Sequence, residues 1–217
     1  MSKHRELAQK ALELIDTGFD QMDRKIENAS LLDRYLVAAS TKAVRLADTI
    51  LFLGDHGVTD EAFPVLRSLV EHAINMRWIA EEDTEQRLKM YMGDLGKAKF
   101  GTSWANKSLD KRMEDVGFGD RNYYDFCVKL TYSYAHVNAS SLRWGEVFSD
   151  PRLSKNRWSP DSLCSVVTQM LGHVMKALES RYKGHFDGYN GLWQQIKVDK
   201  NVGKKIEAIR KEFVESS

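Results

Sequence analysis

What most constrains this chain is how little interrupts it. Its 217 residues contain three prolines, at positions 64, 151 and 160. Long stretches also lack glycine, and within them apolar residues recur every three or four positions. That is the repeat of a helix face, not of a strand. Seven segments read as helices: about 3–27, 30–53, 63–82, 84–107, 120–142, 161–183 and 190–214. The fourth carries Gly93, Gly96 and Gly101 and is expected to be weak or broken. No strand-like alternation, internal repeat or low-complexity tract is visible. The expected fold is all-α: an up-and-down bundle of six or seven helices, with a long loop at about 143–160. A single domain is expected, with the bundle over about 1–185 and an amphipathic helix over about 190–214.

Local signals sharpen several boundaries. Ser30 is a plausible N-cap for the second helix and Gly54 a plausible stop. Thr59 can cap the third, with Asp60 and Glu61 suiting its positive start and Pro64 in its first turns. The sixth has Ser159 as cap, Pro160 at the first helical position and Asp161 after it. Its apolar stripe is Leu163, Val166, Val167, Met170, Val174, Ala177 and Leu178. In the last helix, Val202, Ile206, Ile209 and Phe213 form a narrow seam. It can dock on the bundle or form a homodimer contact.

Composition excludes some classes. A hydrophobic fraction of 42% and a charged fraction of 29% are ordinary for a globular protein. The formal net charge of +1 gives no global field toward nucleic acid or membrane, so any such binding needs a local patch. The longest apolar runs, such as "ILFL" at 50–53, fall far short of the roughly 20 residues that span a bilayer. The first residues show no signal-peptide pattern. Cys127 and Cys164 lie in separate segments with no CxxC or Cys/His cluster, as expected of reduced thiols in a cytoplasmic protein.

No phosphate-binding glycine loop, GxGxxG, HExxH or Glu-x-x-His pattern occurs, so no metal or cofactor is expected. The polar interest lies in "FPVLRSLVEHAINMRWIAEE", residues 63–82. Val65, Leu69, Ala73, Met76 and Ala80 make one apolar arc. Ser68, His72 and Asn75 fall largely opposite. Arg67 and Glu71, four residues apart and therefore facing each other, share a strip with Phe63, Ile74 and Trp78. Such a pair should be partly buried, and losing Glu71 should cost about 1.5–4 kcal/mol. It is either a packing salt bridge or half of a polar site. The other half is sought on the fifth helix, where Asp125, Lys129, Tyr132 and His136 share one strip. The segment "RWGEVFSDPRLSKNRWSP", 143–160, interleaves Arg143, Arg152, Lys155 and Arg157 with Trp144, Phe148 and Trp158. Basic and aromatic residues together can hold phosphate and stack bases. Equally, the aromatic side chains can pin the loop to the bundle.

"LRSLVEHAINMRWI", "EQRLKMYMGDLGKAKF" and "YSYAHVNASS" resemble a group of uncharacterised helical bacterial proteins known as a domain of unknown function, over about residues 30–142. That resemblance implies that Arg67, Glu71 and His136 belong together. "RSLVEH", residues 67–72, also resembles the Arg-x4-6-His pattern of HEPN domains, which are small, usually dimeric helical bundles. Many HEPN proteins are metal-independent ribonucleases of bacterial conflict systems. The resemblance implies catalytic roles for Arg67 and for His72 or His136, with Glu71 and Tyr132 beside them. Two departures stand out. Ser68 follows the arginine where the family more often has Asn, Asp or His. A regular helix also sets Arg67 and His72 about 140° apart. Two function classes follow: a HEPN-like RNA-directed nuclease or toxin-like effector, with Arg143, Trp144, Arg152, Lys155, Arg157 and Trp158 contacting RNA, and a non-catalytic module binding a protein or nucleic-acid partner.

Overall fold

The computed structural model describes residues 2–22, 29–94, 108–117 and 159–195. Among the described residues it is all-α, with seven helices: α1 (Lys3–Gln21), α2 (Leu31–Asp55), α3 (Phe63–Glu81), α4 (Thr84–Asp94), α5 (Leu109–Asp115), α6 (Pro160–Arg181) and α7 (Tyr189–Gln195). No described helix is long and apolar enough to cross a membrane.

α6 is the hub. It packs on α1, α2 and α3, and every residue from Ser162 to Met175 is buried. The predicted stripe is therefore only part of what it buries. The start is as predicted, with the Ser159 hydroxyl accepting from Ser162 N–H ahead of Pro160. Burial also pushes the Cys164 thiol up to about 11, which leaves it un-ionised and inert at neutral pH.

The ends of the helices set their directions. Arg5, early in α1, bonds Asp55 at the end of α2 at 3.1 Å, so these two run antiparallel. At the other end of α2, Ser30 and Asp33 form a reciprocal capping box. Asp33 also accepts from Arg181 (2.8 Å) and Tyr182 (3.0 Å), tying the start of α2 to the end of α6. The Arg181 bond, opposed by burial and assisted by Ser30 and Tyr182, holds the Asp33 carboxyl well below the usual carboxylate range. His4 of α1 meets Asp161 of α6 at 2.7 Å, and Phe19 meets Phe186 edge-on beyond the far end of α6. α1 and α6 are thus parallel. Gly18 permits the second contact, because a Cβ there would overlap the Phe186 ring. The expected alternation holds through α1, α2 and α3, and α6 then returns parallel to α3.

Several predicted boundaries move. α2 runs through Gly54 and stops at Gly57. There φ is +73°, Gly57 N–H bonds Gly54 O and Val58 N–H bonds Leu53 O, the two bonds of a Schellman motif. Thr59 does not cap α3. Residues 59–62 form a turn, and Ala62 stands at the N-cap with no side-chain bond. α4 is described only to Asp94. α5 was not predicted, although Ser108 caps it by accepting from Lys111 N–H. The segment 120–142, with Asp125, Lys129, Tyr132 and His136, lies outside the described residues. So do 143–158 and the seam Val202, Ile206, Ile209 and Phe213.

Candidate functional site

α3 presents two polar stations, each built on an Arg-x-x-x-Glu pair. The arc of Val65, Leu69, Ala73, Met76 and Ala80 is buried at Leu69, Ala73 and Met76 and half-buried at Val65 and Ala80, and Phe63, Ile74 and Trp78 on the other are buried. α2 and α6 pack on this helix, and α5 packs on it as well. Polar side chains caught at the edges of these contacts must find partners within the fold.

The first station contains the predicted pair. Arg67 Nη2 bonds Glu71 Oε1 at 2.8 Å. The arginine side chain is 17% exposed, whereas the glutamate is 47% exposed. Arg67 Nη1 is buried and has no hydrogen-bond partner among the described residues. Arg112 of α5, itself buried, lies within electrostatic range of Glu71, Arg67, Tyr35 of α2 and Tyr91 of α4. Burial lowers the Arg112 pKa and Glu71 partly restores it, but a guanidinium remains charged at any physiological pH. Tyr35 and Tyr91 meet edge to face, with ring centroids 5.2 Å apart. Burial raises both phenols, so both keep their protons and can donate. Four helices thus bring together two guanidiniums, one carboxylate and two neutral phenols.

Of the predicted site residues, this station unites Arg67 and Glu71. His72 points elsewhere. Its Nδ1–H donates to the Ser68 carbonyl at 3.0 Å, which leaves the Nε2 lone pair available. Tyr132, His136, Arg143, Trp144, Arg152, Lys155, Arg157 and Trp158 lie outside the described residues. The expected cost of removing Glu71 needs correction, because a carboxylate so exposed is largely screened by solvent.

The second station, three turns further along α3, was not anticipated. Arg77 Nε bonds Glu81 at 2.7 Å, and Arg77 Nη1 donates to His173 Nδ1 of α6 at 2.7 Å. Because arginine can only donate, the His173 proton resides on Nε2. Burial, then Arg77, then Lys176 drive the His173 pKa well below its ordinary 6.5. Lys176 stands 3.9 Å from Glu81. Nearby, Arg87 lies over the Trp78 ring, 4.2 Å from its centroid, and the Trp78 indole N–H donates to Asp115 at 2.9 Å. The missed signal was the repeated Arg-x-x-x-Glu spacing, at 67–71 and again at 77–81. Arg112, Tyr35 and Tyr91 had none, since each joins the site across a helix contact. Among the described residues no group of three His, Cys, Asp or Glu side chains is placed to hold a metal ion.

Residues 33–100 match the model of DUF5677, a family of unknown function. The matched stretch begins in the first turn of α2 and includes all of α3 and α4. It bears out the resemblance to an uncharacterised family and contains Tyr35, Arg67, Glu71 and Tyr91; Arg112 lies beyond the DUF5677 match. No curated protein and no solved structure matches the chain.

Proposed function

We propose that this chain is a cytoplasmic, RNA-directed helical module that holds phosphate at the Arg67–Glu71–Arg112 station. One observation carries the reading: two largely buried guanidiniums lie within electrostatic range of one half-exposed carboxylate, and Arg67 Nη1 has no hydrogen-bond partner among the described residues. A fixed, partly desolvated pair of guanidiniums suits a phosphate oxyanion. RNA is favoured over other anions by the basic and aromatic residues Arg143, Trp144, Arg152, Lys155, Arg157 and Trp158, and by the HEPN resemblance. In this reading the seam of Val202, Ile206, Ile209 and Phe213 joins two copies. Light scattering should then give about twice the 24.9 kDa of one chain, and a monomer mass at high concentration removes the dimer.

The test is RNA binding across a salt series. Arg67→Ala should weaken binding of all sequences alike and reduce the salt slope by about 0.7 for single strands. Unchanged affinity and slope in that variant overturn the proposal.

A second reading, metal-independent RNA cleavage, draws on the His72 tautomer, which leaves Nε2 able to take a proton. In that mechanism the 2′-hydroxyl attacks the phosphate, histidine removes its proton and Arg67 stabilises the developing charge. The separation of His72 from Arg67 around the helix favours His136 as the base. Cleavage should persist in EDTA, vanish with 2′-deoxy substrate, and fall at least about 100-fold in Arg67→Ala and in either His72→Ala or His136→Ala. Activity on DNA, loss of activity in chelator, or full activity of Arg67→Ala excludes this chemistry. Binding without cleavage leaves the module reading alone.

A further inference from the structure

We infer that the solvent face of α2 is a track for single-stranded RNA, on which Arg34, Lys42 and Arg45 hold phosphates and Phe52, steadied by His56, stacks a base. The inference rests on the reading above for RNA as the ligand, and it adds a contact surface outside the Arg67 station.

The face of α2 that carries Leu36, Ala43, Ala47 and Ile50 is buried. At about 100° per residue, Arg34, Arg45, Phe52 and His56 fall within about 40° of one another on the opposite face, and Lys42 lies about 60° to one side of Arg45. All five are exposed. The strip runs the length of the helix, about 33 Å from Arg34 to His56. Among the described residues, the side chains of Arg34, Lys42 and Arg45 make no hydrogen bond or ion pair. The carboxylates at the two ends of α2 are taken up elsewhere, Asp33 by Arg181 at 2.8 Å and Asp55 by Arg5 at 3.1 Å. Asp48, about 60° to the other side of Arg45, lies within electrostatic range of Asp16 and Arg5 of α1; burial, then Asp16, raise its pKa. The strip itself is positive, and a row of cations without internal counter-anions suits a polyanion.

Phe52 is 59% exposed. A lone phenylalanine on a surface carries no message, but this one is held. His56 Nδ1–H donates to the Phe52 carbonyl at 2.8 Å, and its ring lies beside that of Phe52 with centroids 4.1 Å apart and planes tilted by 36°. The phenylalanine ring therefore stands in water with little rotamer freedom left to lose, and an unpaired base can stack on it at low ordering cost. Bases in a duplex are already stacked, so the platform selects single strands. A lipid surface fits the strip less well. Interfacial helices bury a continuous apolar face, whereas Leu31, also exposed, sits at the far end of α2, about 30 Å from Phe52.

The test is fluorescence anisotropy of the full chain with one short RNA, single-stranded or annealed to its complement, across a salt series. The variants are Phe52→Ala, the double Arg34→Ala/Arg45→Ala, Arg67→Ala and, as a control, Lys10→Ala on the exposed face of α1, each first shown to melt cooperatively. Phe52→Ala should weaken single-strand binding at least about five-fold, the low end of a base–aromatic stack, and erase the preference over duplex. The double variant should reduce the salt slope by about 1.4, or about 0.7 per phosphate contact. Lys10→Ala should change neither. Unchanged affinity in Phe52→Ala, an unchanged slope in the double variant, or an equal loss per charge in Lys10→Ala overturns the inference. Binding that requires Arg67 but ignores the α2 strip rejects the inference and leaves the RNA reading standing. Binding that requires the strip but not Arg67 supports the inference and overturns the phosphate station. If the double variant instead loses binding to phosphatidylserine vesicles with RNA binding unchanged, the strip is a membrane surface and the inference falls.

Discussion

Two Arg–Glu pairs sit on α3 with the same spacing and nearly the same bond length, 2.8 Å at Arg67–Glu71 and 2.7 Å at Arg77–Glu81. Their surroundings make them different objects. Arg77 is 7% exposed and is held by Glu81 on its own helix and by His173 on α6. Among the described residues, Arg67 is held by one half-exposed carboxylate, its Nη1 has no hydrogen-bond partner, and a second guanidinium lies within electrostatic range. Sequence spacing makes a pair possible on a helix. Whether it becomes a structural clamp or an open station depends on how many of its donors the neighbouring helices use.

That contrast is easiest to break at Arg77. Arg77→Ala removes the donor to a buried imidazole and leaves Glu81 only the more distant Lys176, and breaking a buried pair costs about 3–5 kcal/mol. Urea unfolding measures it, and a loss below about 1 kcal/mol would mean the second station is no clamp.

A smaller effect comes from pH. His173 is neutral in the fold because its pKa is pushed well below 6.5. The unfolded chain, with an ordinary imidazole, binds the extra proton first as pH falls. Stability contributed by this residue is therefore complete above about pH 6.5 and declines below it, by at most about 1.4 kcal/mol per pH unit. His173→Gln keeps an acceptor for Arg77 without a titrating group. Its unfolding free energy should vary less with pH between about 5 and 6.5 than the wild type's. Parallel pH profiles for the two proteins would rule out His173 as the source.

The smallest loss is expected at the open station. Glu71→Ala should cost about 1 kcal/mol or less, and the effect should shrink further in high salt, as for a solvent-screened pair. A loss as large as that of Arg77→Ala would erase the distinction between the two stations.

Much of the fold was legible because it is local. The Ser30 and Ser159 caps and the helical periodicity of α1, α2, α3 and α6 depend on residues within a few positions of each other. The Gly54 and Thr59 assignments failed for a local reason too. Several residues near each helix end are capable of stopping or starting it, and backbone bonding at Gly57 and in the turn 59–62 decided between them. The Arg67–Glu71 pair was equally visible, since it lies within one turn of helix. Its setting was not.

What the sequence alone determined is an all-helical chain whose third helix places charges between two apolar arcs. The tertiary structure decided which charges are buried, that α6 is enclosed nearly all round, and that Tyr35, Tyr91 and Arg112 meet beside Arg67. The physical reason is range. Capping and periodicity act over one or two turns, whereas burial and electrostatic partnership depend on which helix faces are pressed together, and no spacing along one chain records that.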